Sequence, residues 1–192
     1  MKLSLLGLLV TLLLVSHGLP DEVERIAEAT PETFFGSPEN LKLVTTAKSI
    51  AVFRVFNSLE KPKGKKSVEI DNHYCKPKPT VVTGAEVKSA VTVLSDTNNF
   101  GVEFVCDFDP AIILRFADQK HTLDVLICFH CGEMVIYHDG AVVRRPYKWA
   151  RSKNTILSAV ARHAFAALAK KAFPKDPEIQ ELKSGASKPK EN

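Results

Sequence analysis

The chain has 192 residues, 45% of them hydrophobic and 25% charged, with a formal net charge of +4. That is enough apolar material for one domain with a real core. The charge is too small to name a partner, and it gives no ground for a specific nucleic-acid binder.

The N-terminus has Lys2, an apolar run over residues 3–15, then small residues at Ser16 and Gly18. That order predicts a signal peptide over residues 1–18 and a secreted or periplasmic protein. The run falls short of the ~20 apolar residues that span a bilayer, so no transmembrane anchor is expected in the mature chain. Residues 19–48 read as a loose arm, acidic and then interrupted by proline, ending in a short helix. Ser37 suits its N-cap and Pro38 its first position.

A single α+β domain is expected over residues 49–175. Residues 49–56 form its first strand, with Ile50, Val52, Arg54 and Phe56 on one parity and Ala51, Phe53 and Val55 on the other. A basic turn follows at residues 61–66. Residues 67–71 are expected to pair back onto the first strand, and residues 72–79, with His73, Cys75 and two prolines, to be irregular. Residues 80–83 are extended. Val87, Ala90, Val91 and Leu94 then recur at helical spacing. Next comes a meander of strands over residues 101–108, 111–116, 121–129, 133–138 and 141–145. Its turn signals are Asp109-Pro110, residues 118–120 and Asp139-Gly140. A helix capped by Ser152 or Asn154 runs to about Ala172, with Ile156, Leu157, Val160, Ala161, Ala164 and Leu168 as its stripe. Phe173-Pro174 stops it. Residues 176–192 read as a polar tail. The expected fold is a twisted antiparallel sheet of about five to seven strands with two helices packed on one face.

Burial sets a register for the meander. Phe116 opposite Leu123 places Leu114 opposite Val125 and Ile112 opposite Ile127, and collects the apolar residues on one face. A one-residue shift, with Phe108 opposite Ala111, is expected to pair Arg115 with Asp124 instead, and it is disfavoured because it puts both among the core residues. With residues 101–108 beside 111–116, Cys106 lies two strands from Cys128, roughly 10 Å away. A disulfide tolerates about 7 Å between Cα atoms, so a Cys106–Cys128 bond is not expected.

The sharpest local motif is Cys128-Phe129-His130-Cys131. In an oxidising compartment the four cysteines, Cys75, Cys106, Cys128 and Cys131, are disulfide candidates that would staple the sheet. A metal site of Cys128, Cys131 and Cys106, or with His130 or His138 as third ligand, would suit zinc or copper. No other cofactor is expected. Thiol–disulfide exchange needs a thiol acidified at a helix N-terminus, and this pair ends a strand. Buried free cysteines, packing as small hydrophobes, complete the readings. Gly132 occupies the place where a covalent haem would need His. Asp107 and Asp109 fit turn chemistry, and His121, His138 and His163 read as surface or edge residues.

No Gly-x-Ser-x-Gly, His-Glu-x-x-His or phosphate-binding glycine loop occurs, and no catalytic residue is assigned. Between Arg144 and Lys175 lie many basic residues and no acidic one. Arg144, Arg145, Lys148 and Arg151 are the candidate contacts for an anionic surface or polymer, with a solvated helix face as the simpler reading. Cys106-Asp107-Phe108-Asp109-Pro110, followed by the strand ending in Cys128-Phe129-His130-Cys131 and a hairpin, resembles small exported bacterial proteins of unknown function that carry a Cys-Phe-x-Cys strand end. The resemblance implies a fold and export but no activity, and it makes Cys106, Cys128 and Cys131 one unit with Cys75 outside it. The expectation is therefore a secreted binding or structural protein, not an enzyme, with cysteines stapling its sheet. The alternatives are a metal-binding protein using Cys128 and Cys131, or a thiol–disulfide oxidoreductase.

Overall fold

A computed structural model describes residues 30–56, 61–101, 108–143 and 155–182. Two short helices come first, α1 (Pro31–Phe35) and α2 (Pro38–Thr45). Each starts at a proline, and each has a hydroxyl cap: Thr30 accepts from the Thr33 N–H at 3.3 Å and Ser37 from the Asn40 N–H at 3.2 Å. Strands β1 (Ser49–Arg54), β2 (Val68–Ile70), β3 (His73–Cys75) and β4 (Thr80–Thr83) precede α3 (Ala85–Ser95). Then come β5 (Phe100–Gly101), β6 (Ile112–Ala117), β7 (Thr122–Cys128), β8 (Glu133–His138), β9 (Ala141–Val142) and β10 (Thr155–Leu157). Helices α4 (Ala159–Ala172) and α5 (Pro177–Gln180) close the described chain.

The fold is α+β around a large antiparallel sheet, ordered β4-β1-β6-β7-β8-β10-β5, with β9 paired to β8. The register expected from burial is the one found: Ile112 faces Ile127, Leu114 faces Val125 and Phe116 faces Leu123. Arg115 and Asp124 face each other in this same register, not in the shifted one. Their parity points away from the main core, so no choice between apolar burial and their pairing arises. Asp139 (φ 47°) and Gly140 (φ 78°) make the tight turn between β8 and β9 that their sequence signals.

Several expected elements are placed differently. The second neighbour of β6 is β1, with Val52 opposite Leu114 and Phe53 opposite Ile113, and residues 102–107 of the neighbour expected there lie outside the described residues. β1 is apolar on both parities, which suits a strand with neighbours on both edges and both faces covered. The described end of that expected strand, β5, pairs with β10 at the far edge. Residues 68–70 pair with His73–Cys75 rather than with β1, across a turn in which Asp71 (φ 48°) and Asn72 (φ 64°) both adopt positive φ. Residues 155–157 are a strand, and α4 begins only after Ser158, whose hydroxyl accepts from the Ala161 N–H at 3.1 Å. Val160 is therefore 63% exposed, and the buried face runs through Ala161, Ala164, Phe165, Leu168, Ala169 and Ala172.

The main core lies on one face of the sheet, among Ile50, Val52, Ile112, Leu114, Leu123, Val125 and Ile127, and includes residues of all five helices. Phe34 and Phe35 of α1 and Ile179 of α5 belong to it, so the folded body extends beyond residues 49–175 at both ends. A second cluster, with Phe53, Ile70, Cys75, Ile113, Leu126 and Tyr137, fills the opposite face under the β2–β3 hairpin. Among the described residues no helix is long and apolar enough to cross a membrane.

Candidate functional site

The end of β1 and the connection from α4 to α5 meet at Arg54. Its side chain is almost wholly buried, and every arm of its fork is used. Nε donates to Asp176 at 3.1 Å, one terminal nitrogen donates to the Val55 and Ala111 carbonyls at 2.8 and 3.1 Å, and the other pairs with Glu178. Asp176 also caps α5 and receives Lys76 at 3.2 Å. Burial pushes the Asp176 carboxyl up, but the hydrogen bonds and charge of Arg54, with Lys76 behind them, hold it below the usual range. Phe173-Pro174 stops α4 and turns the chain, which brings Asp176 back to β1.

This junction frames a cleft of about 640 Å³. Val55, Phe56, Phe173, Pro174 and Pro177 supply apolar walls. Arg54, Lys65, Lys76 and Lys175 line it against only Asp176 and Glu178, a surplus of two positive charges. Lys65 lies over the Phe56 ring at 5.6 Å. The arrangement suits a ligand with an apolar body and an anionic head.

A second polar cluster is enclosed between the sheet and the hairpin. Arg115 grips Asp124 with two hydrogen bonds of 2.7 and 2.6 Å and lies over the Phe53 ring at 5.1 Å. The Asp71 carboxyl faces Asp124 from the hairpin turn. Burial, and then the Asp124 charge, push it up to about 7. Its Oδ2 finds no donor, whereas a proton on Asp71 lets the two carboxyl groups share a hydrogen bond. Burial likewise pushes the neighbouring Cys75 thiol up to about 12, so it stays protonated and is a poor nucleophile or ligand. This cluster pins the hairpin to the sheet.

Cys75 and Cys128 are free buried thiols, so both leave the disulfide candidates. Cys128 ends β7 on the second face of the sheet, and its Sγ accepts the Cys131 N–H at 3.4 Å. Gly132 (φ 68°) then turns the chain directly into β8, and a Cβ there would meet the Arg162 side chain at 3.0 Å. No helix N-terminus follows the pair to acidify a thiol. The grouping of metal-ligand side chains found among the described residues is His121, His138 and Asp139, which does not include Cys128 or Cys131. Cys106, and the candidate anionic contacts Arg144, Arg145, Lys148 and Arg151, lie outside the described residues. Sequence reading missed Arg54 with Asp176, although an arginine inside an apolar strand signals a buried partner. It also missed that His121 and His138 come together. The chain matches no family model, no curated protein and no solved structure.

Proposed function

We propose that this is an exported binding protein that takes an amphipathic anion in the cleft between β1 and the α4–α5 junction. The observation that carries this reading is the meeting of apolar walls with surplus lysine charge around one opening. Export rests on Lys2, the apolar run and the small residues that follow it. The sheet staple narrows to Cys106 with Cys131, because Cys75 and Cys128 are free thiols and Cys131 stands outside that set.

Calorimetric titration with octyl phosphate, with octanol as the uncharged control, tests the cleft. We expect saturable binding of the phosphate at low salt. Lys65→Glu and Lys175→Glu should each weaken it about tenfold, and added salt should weaken it further. Equal binding of octanol, or no effect of either substitution, would remove the cleft from the reading.

A further inference from the structure

We infer that His121, His138 and Asp139 form a binding site for a divalent metal ion of the zinc–copper–nickel group. The three residues come from the start of β7, the end of β8 and the first position of the β8–β9 turn. The pairing of Leu123 with His138 aligns the two histidines at one rim of the sheet. Their rings lie 5.3 Å apart. Asp139 Oδ2 sits between them, 2.8 Å from His121 Nδ1 and 3.3 Å from His138 Nε2.

Zinc–nitrogen and zinc–oxygen bonds of about 2.0–2.2 Å place tetrahedral donors roughly 3.3–3.5 Å apart. One atom from each of the three side chains lies within 4.8 Å of the others, so an ion needs only small side-chain movements to insert. His138 Nε2 is buried and makes no hydrogen bond, so metal coordination would give it a partner.

The carboxylate is held ready. Its Oδ1 accepts the Thr122 N–H at 2.7 Å and the Thr122 hydroxyl at 3.2 Å, which leaves Oδ2 for the ion. The turn before β7 is held in the same way, with Asp118 accepting the Lys120 and His121 N–H groups at 2.7 and 2.8 Å. Two imidazoles and one carboxylate suit borderline divalent ions rather than calcium or magnesium. All three side chains keep a third or more of their surface open, which admits the ion and leaves coordination positions free.

The simpler reading is a histidine–carboxylate hydrogen bond that closes the hairpin end. Titrating the full protein with Zn²⁺, Ni²⁺ and Co²⁺ separates the two. We expect one equivalent bound per chain. His121→Gln, His138→Ala and Asp139→Asn should each weaken it at least tenfold. Asn adopts positive φ readily, so Asp139→Asn keeps the turn while removing the charge. The Co²⁺ form should show no thiolate charge-transfer band. No saturable binding to the natural chain, binding untouched by the three substitutions, or a thiolate band would overturn the site.

Discussion

Asp71 stands in a left-handed turn conformation while its carboxyl is enclosed against another carboxylate. The two constraints make its proton part of the fold. In the unfolded chain the group has its ordinary value of 3.8, and in the fold it is raised to about 7. Below about pH 4 both states carry the proton. Between about 4 and 7 the unfolded chain has lost it and the fold has not, so stability falls as pH rises through that window and levels off above it. Asp71→Asn keeps a residue that tolerates positive φ and offers Asp124 an amide donor. We expect it to match the natural protein near pH 4 and to exceed it by about 1–2 kcal/mol at pH 8, after discounting for the partial solvent access of the site. Urea unfolding of both proteins across that range checks this. A difference independent of pH would mean that Asp71 is ionised in the fold. The protonated Cys75 thiol beside it is inert for the same reason, since burial disfavours the charged form of either group.

The helices show what tertiary contacts add to a short element. α1 has five residues, too few for a stable isolated helix, yet Phe34 and Phe35 are fully buried. Phe34 stacks on Phe100 at 4.6 Å and meets Phe35 edge-on at 5.1 Å. The helix exists because two aromatic side chains gain a place in the core, not because of its own propensity. Phe34→Ala should therefore cost about 3–4 kcal/mol in denaturant unfolding. A loss below about 0.5 kcal/mol would return residues 31–35 to a loose arm. α4 teaches the converse. Ile156 and Leu157 fit a helical stripe, but Ser158 has the caps and the sheet takes residues 155–157.

Across the whole molecule, both ends of the described chain fold onto one sheet. α1 reaches the main core, and α5 holds Arg54 through Asp176, residues 122 positions apart. A signal peptide, on our proposal, ends before this body begins. Peptide mapping of the exported protein without reductant checks both whole-chain proposals together. We expect a first residue near Leu19 and a cross-linked peptide joining Cys106 to Cys131. Retained Met1 would sink the export reading, and two unlinked peptides would sink the staple.

Much of the local structure was legible in the residues. Alternation in Ile112, Leu114 and Phe116 against Leu123, Val125 and Ile127 determined a register, because a strand has a period of two and a one-residue slip exchanges its faces. Ser37-Pro38 marked a helix start, Asp139-Gly140 a tight turn, and Val87, Ala90 and Leu94 a helical face. These signals act within a few residues of one another. What the tertiary structure alone decided was which distant pieces meet. β1 shows apolar residues on both parities, which says that it is covered but not that β4 and β6 are its neighbours. The cleft at Arg54 depends on Asp176 returning from the far end of α4. His121 and His138 looked scattered because they are separated along the chain. They meet only because β7 and β8 pair in one register and Asp139 sits between them at the turn. Sequence carries periodicity and turn chemistry, which are local. Neighbour choice among strands is set by packing the whole core at once.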